Sequence, residues 1–197
     1  MNPKVMLVRL IPSLLLIMPA HAKESGFSVG VTAMVGGRYD NLRMCVASPA
    51  GVKGGPIADI MLVTRYHVSS TSSIGLKLPV MRPILFAAAF KMLQFEPEIL
   101  FERTIRGRGQ YEYVAGPSLG ISLHYGPDYT ASLDESGAEA FFAAGPVVSG
   151  IFGLRFINDA GHDRVIALKP FYIPLFSRER ATGTVWGAAL EGRLDFF

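Results

Sequence analysis

The chain has a single cysteine, Cys45, in 197 residues, so no internal disulfide framework can staple it. No cluster of histidine and cysteine accompanies that thiol, and His67 and His162 have no partner at metal-ligand spacing, so neither a metal nor a cofactor is expected. A surplus of one charge sign is also missing. Removing Lys4 and Arg9 with the N-terminal leader described below leaves 17 of the 19 basic side chains against 16 acidic ones, a balance that excludes nucleic acid as a partner. Nor is there a helical membrane span, which needs about 20 consecutive apolar residues. The longest candidate, residues 81–93, is interrupted by Arg82, Pro83 and Lys91. Gly107-Arg108-Gly109 lacks the strand-loop-helix setting and the Lys-Ser/Thr of a phosphate loop, and reads as turn chemistry.

Against those absences, the chain is 50% hydrophobic with a mean hydropathy of +0.33. Such apolarity without a helical span leaves a closed sheet, the other structure that satisfies every backbone group in lipid. The N-terminus reads as an export signal, with Lys4 and Arg9 as basic region, residues 10–18 as apolar core and Ala20-His21-Ala22 as cleavage site. Residues 1–22 are thus expected to be a cleaved signal peptide and residues 23–197 one barrel domain. No cysteine follows the cleavage site, so lipoprotein attachment there is not expected.

Apolar residues recur at every second position in strand-sized segments. Eight are expected, at 26–36, 57–69, 73–81, 85–103, 110–125, 139–157, 164–177 and 183–197. The clearest runs from Tyr111 to Tyr125, with Tyr111, Tyr113, Leu119, Ile121 and Tyr125 on one face and Glu112, Ser118, Ser122 and His124 on the other. Aromatics at both ends and aliphatics between suit a lipid-facing strip with interfacial girdles. Pro170 and Pro174 are expected to weaken one ladder. An even count returns both termini to the periplasmic side and puts the longest loops, 37–56 and 126–138, outside the cell. A further short strand at 42–47 would break that parity.

The run Leu93-Gln94-Phe95-Glu96-Pro97-Glu98-Ile99-Leu100-Phe101-Glu102, followed by Ala115-Gly116-Pro117-Ser118-Leu119-Gly120, resembles the outer-membrane β-barrel domains of the small OmpA/OmpX-like or PorT-like sort. In that family a Leu-Gln-Pro-Glu strand and an Ala-Gly-Pro-x-Leu-Gly strand recur in this order. Here Phe95-Glu96 stands between Gln94 and Pro97-Glu98, and the ending Asp195-Phe196-Phe197 departs from the commoner aromatic-x-Phe. The resemblance implies an all-β, eight-stranded antiparallel up-and-down transmembrane barrel in an outer membrane. Its members share a fold more than an activity.

An eight-stranded barrel is just wide enough for side chains to fill. The inward faces are expected to gather Arg65, Lys77, Arg155, Lys169 and Arg193 with Asp59, Glu96, Glu98, Glu102, Glu112, Glu191 and Asp195. Ions taken out of water without partners cost several kcal/mol each, so a salt-bridged plug is expected, with a narrow channel as alternative. Tyr111, Tyr113, Tyr125, Tyr172, Trp186, Phe196 and Phe197 are expected at the membrane interfaces.

Ser122 and His124, two residues apart on one face, are the one enzymatic hint, with Glu112 or Glu98 to orient the ring. Barrel lipid A deacylases carry His before Ser with a Tyr between, whereas this chain reads Ser122-Leu123-His124-Tyr125, so no catalytic residue is assigned. The expected role is a monomeric structural or interaction protein acting through its outer loops. Its partners would be outer-membrane lipid and lipopolysaccharide, with the assembly machinery engaged through the C-terminal strand. A lipid A-modifying acyl hydrolase and a soluble periplasmic lipocalin-like binder, with its faces reversed, are the other readings.

Overall fold

The computed structural model describes residues 26–43, 52–88, 92–105, 107, 111–128, 139–156, 163–178 and 182–196. Within them run β1 (Phe27–Asp40), β2 (Gly54–Ser69), β3 (Ser72–Pro79), α1 (Met81–Ala87), β4 (Leu93–Phe95), β5 (Glu98–Ile105), β6 (Tyr111–Pro127), β7 (Ala140–Phe156), β8 (Arg164–Leu175) and β9 (Gly183–Asp195). Every strand pairing is antiparallel, and the ring closes where β1 meets β9, from Gly30 opposite Asp195 to Asp40 opposite Val185. β4 and β5 both pair with β6, end to end, so they share one position in a ring of eight. Closure removes the sheet edges that hydrocarbon cannot satisfy.

Alternation dictates which face meets what. Ile60, Tyr66, Ile74, Leu76, Ile99, Phe101, Leu119, Ile121, Leu168, Leu190 and Leu194 are exposed on the outside, while Arg65, Lys77, Glu98, Glu102, Lys169, Glu191 and Arg193 are buried inside. A soluble lipocalin-like barrel would carry the opposite order, so that reading is overturned. The outside is apolar because its solvent is lipid.

Three expectations need correction. A single strand over 85–103 does not form. Residues 81–87 are the helix α1, with Pro83 in its first turn, where the missing N–H would have had no intrahelical partner anyway. The remainder is split into β4 and β5 at Glu96-Pro97, where Pro97 contributes only its carbonyl, accepting from the Ile121 N–H at 3.2 Å. Residues 37–56 are not all loop either. β1 continues to Asp40 and β2 starts at Gly54, pairing Gly37 with Pro56 and Tyr39 with Gly54. The turn chemistry of Gly37, Gly54, Gly55 and Pro56 is overridden by neighbours that need ladder partners. Likewise β6 continues to Pro127, opposite Ala140. The proposed strand at 42–47 and the leader at 1–22 lie largely or wholly outside the described residues, although Leu42 is placed, in a turn and buried against Val185 and Phe141.

The prolines act on one seam. Pro170 and Pro174 keep their register with β9, opposite Ala188 and Thr184. On the β7 side the ladder lapses between Leu168 and Phe171, and an isolated bridge from Ala144 to Phe176 follows Pro174. Their absent donors point at β7. A similar lapse between β5 and β6 spans Phe101 and Glu102, opposite Pro117 and Gly116. There a side chain on Gly116 would place its Cβ 1.8 Å from the Phe101 carbonyl oxygen. Gly116→Val is expected to destabilise the barrel by about 3 kcal/mol or more, because backbone and not a flexible side chain must yield. The check is the urea midpoint of the band that migrates fast unless boiled. A midpoint equal to that of the parent chain would contradict this account of the seam.

Candidate functional site: the charged lumen

Period-two alternation turns every second side chain of each strand inward, and the closed ring leaves long charged side chains nowhere to go but toward each other. They meet in three tiers. Nearest the termini, Arg65 Nη1 lies 3.1 Å from Glu102 Oε1, and its Nη2 donates to Asp195. Arg193 holds the same Glu102 through two bonds of 2.6 and 2.9 Å. Two guanidiniums thus share one carboxylate, the planar fork geometry that suits arginine. Gly75 sits opposite Arg65 in the register, and its missing side chain leaves room, since a Cβ there would fall 2.9 Å from Arg65 Cγ. At the rim below, Arg155 pairs with Asp163 and, at 3.4 Å, with Glu112.

The middle tier joins four groups. Lys77 Nζ donates to Glu191 at 2.6 Å, and Lys169 pairs with Glu98 and lies 3.7 Å from Glu191. Ser118 and Ser149 both donate to Glu98 Oε2, at 2.8 and 2.6 Å. Lys77 is fully buried. A lysine there is tolerated because its carboxylate is within bonding distance and the charges alternate around the ring.

The tier nearest the loops is built on Glu96. Its Oε2 accepts from Arg82 at 2.8 Å, and its Oε1 accepts from Gln94 at 2.6 Å and from Ser122 at 3.1 Å, with His124 Nε2 at 3.3 Å. Arg82 also lies 3.3 Å from Asp59 and donates to the Ala58 carbonyl at 3.2 Å. The carboxylate beside the Ser-His pair is therefore Glu96, and not Glu112 or Glu98. Ser122 and His124 both turn to that one oxygen, and no hydrogen bond joins the two. A nucleophile needs its base on its own hydroxyl, which this arrangement does not provide. What the geometry supplies is a buried polar knot.

All twelve lumen residues singled out from the sequence are thus brought into ion pairs, though not into one cluster. Sequence reasoning missed Arg82, Asp163 and the buried pair Arg38 and Asp40, 3.8 Å apart, because their segments were read as break, turn and loop. A lone Arg inside the apolar run 81–88 was a usable signal, since such a charge needs a partner. Among the aromatics, Tyr113, Tyr125, Tyr172, Trp186 and Phe196 are exposed on the outer face, and Phe197 lies outside the described residues. Tyr111 is half-buried, its ring edge-on to Tyr113 with centroids 5.8 Å apart. Tyr39, Tyr172 and Trp186 sit side by side in register near the loop end, and Tyr39 lies 5.8 Å from Trp186.

A closed antiparallel ring with an apolar exterior and a charge-packed interior is the architecture of the small outer-membrane β-barrels. No family model and no curated sequence matches the chain. Among solved structures it is similar to Neisserial surface protein A, with a TM-score of 0.57 and 10% identity, over 87% of this chain and 98% of that one. It also aligns over 87% of its length with 99% of Ail, the attachment invasion locus protein of Yersinia pestis, at 12% identity and a TM-score of 0.36. The first of these shows a shared fold and nothing finer.

Because the ions are buried, removing one partner is far worse than removing both. Lys77→Met is expected to cost about 3–5 kcal/mol, and adding Glu191→Gln to recover more than half of that. Urea titrations of the single and double variants decide it, and strictly additive losses would contradict the pairing.

Proposed function

We propose that this chain is an integral outer-membrane protein whose lumen is closed by ion pairs and which acts as a structural or interaction protein through the loops at the end opposite its termini. The observation that carries this reading is the lumen itself. Across its height, buried cations and carboxylates hold each other at bonding distance, so a solute would have to break compensated pairs to pass. What stays accessible from outside the cell is the rim and its loops. The connections at the terminal end are short where described, as between β2 and β3, whereas 41–53 and 128–139 are longer, the asymmetry expected of periplasmic turns and outer loops. The resemblance to OmpA/OmpX-like barrels supports the same reading.

The remaining parts follow from it. Residues 1–22 direct export and are removed, and the domain begins at Lys23. The C-terminal strand, which closes the ring on β1 with the Phe196 N–H donating to the Val29 carbonyl at 2.8 Å, is the segment offered to the assembly machinery. Tyr113, Tyr125, Tyr172, Trp186 and Phe196 anchor the two interfaces, and lipopolysaccharide surrounds the outer rim. No catalytic step is assigned, since Ser122 and His124 share a carboxylate instead of forming a relay.

Planar bilayers holding barrel of demonstrated heat-modifiable migration are expected to stay silent, and stepwise conductance would overturn the closed lumen. Replacing residues 130–137 with two glycines is expected to leave that migration unchanged while lowering adherence of whole cells to protein-coated surfaces. Equal adherence by cells with the parent barrel, with the shortened loop and with no barrel would overturn the interaction role.

A further inference from the structure

The cations that the strands turn inward all have carboxylates: Arg38, Arg65, Lys77, Arg155, Lys169 and Arg193. Arg103 on β5 and Arg164 on β8 do not. Alternation turns both onto the outer face, both are exposed, and among the described residues no ion pair or side-chain hydrogen bond engages either guanidinium. The wall has no carboxylate to offer them, because the acidic residues within the strands face the lumen, where they are buried or, like Glu112, paired across it. An anion for these two arginines has to come from the bilayer.

Both lie at the terminal end of the barrel, Arg103 close to the last residue of β5 and Arg164 as the first of β8. A lipid-facing arginine costs most at the midplane and little at the interface, where its long stem lets the guanidinium reach the lipid heads. The band at the loop end is different. There Tyr39, Tyr125, Tyr172 and Trp186 are exposed, and no strand cation faces outward among them.

In the register Arg103 lies between Ser72 of β3 and Ala115 of β6, small neighbours that leave its head uncovered. One step nearer the rim Ile105 stands opposite the exposed Tyr113, and one step nearer the midplane Phe101 is exposed. Arg164 lies between Phe156 of β7 and Leu194 of β9, both exposed, with Ile166 next along its own face. β6 and β7 separate the two arginines, so they form two stations and not one. Each is a fixed positive charge at the border of an apolar surface, the complement of a lipid with an anionic head and apolar chains. The planar fork of a guanidinium matches two oxygens of a phosphate diester. A zwitterionic head brings its own ammonium to that phosphate, which favours a head without one.

We propose that Arg103 and Arg164 each hold the phosphate of an anionic glycerophospholipid in the leaflet at the terminal end, with the acyl chains lying against Phe101 and Ile99 at one station and Ile166 and Leu168 at the other. The inference deepens the reading of the chain as an integral outer-membrane protein and rests on the orientation given above only for calling that leaflet periplasmic. Symmetric vesicles test the two stations whichever way the barrel points.

The full barrel is reconstituted in phosphatidylcholine vesicles doped with a phosphatidylglycerol that carries a diazirine on the chain carbon next to its ester, or with a phosphatidylcholine carrying the same group, then irradiated and mapped by mass spectrometry. The phosphatidylglycerol probe is expected to label Phe101, Ile105 and Tyr113 around Arg103, and Phe156, Ile166 and Leu194 around Arg164, about fivefold more than the phosphatidylcholine probe, a preference that about 1 M salt reduces. Tyr39 and Trp186 are expected to take both probes alike. Arg103→Gln is expected to lower phosphatidylglycerol labelling about fivefold at the first three residues and to leave the other three unchanged, and Arg164→Gln to do the reverse. A general loosening of the barrel would move both sets, so each variant controls for the other. Heat-modifiable migration verifies the fold of each, and the comparison of the two probes on the parent barrel decides the matter if neither variant folds. Equal labelling by the two probes, or phosphatidylglycerol labelling that persists in the folded variants, would overturn the proposal.

Discussion

In hydrocarbon a backbone amide has only another backbone group to bond to, and that constraint organises this molecule. It forces the ring to close between β1 and β9, and closure at eight strands leaves an interior narrower than the combined reach of its side chains. Everything inside must then be packed and electrically compensated. The three tiers of ion pairs are the outcome, with Glu102 under two arginines, Glu98 and Glu191 between two lysines, and Glu96 under Arg82. Compensation at each level means that neither the apolar exterior nor the bonded wall has to accommodate a stray charge.

The same constraint explains why irregularities cluster where they do. Pro117, Pro170 and Pro174 withhold donors, and the ladder lapses beside each of them while the opposite seam holds. Near the loops, where β3 and β5 stop short of their neighbours, a helix stands in for a strand, and its one charged residue pairs with two carboxylates and donates to the Ala58 carbonyl of β2.

Much of this was legible in the chain. Alternation over Tyr111 to Tyr125 or over residues 57–69 assigns faces correctly, because a pleated strand leaves no freedom in which side a residue takes. The inward charges could be named for the same reason. Alternation is silent where apolar residues run together, so residues 81–87 read as a strand end, a break at Arg82-Pro83 and the start of another strand, although Arg82 in their midst demands a buried partner. It is also silent about turn-forming residues, and Gly37, Gly54 and Pro56 were read as loop although the ladder extends through them.

The chain by itself determined the class of fold, the approximate strands, and which side chains share a face, since these depend on local periodicity and on the solvation of backbone. Only the tertiary structure decided who pairs with whom. Arg65 meets Asp195 across 130 positions of sequence and Lys77 meets Glu191 across 114, distances set by register and barrel closure and not by any local pattern. Only it decided that Ser122 and His124 converge on Glu96, and that a seven-residue helix completes the wall. Which face was outside also needed closure, because alternation fixes two faces but only a closed ring gives one of them an interior.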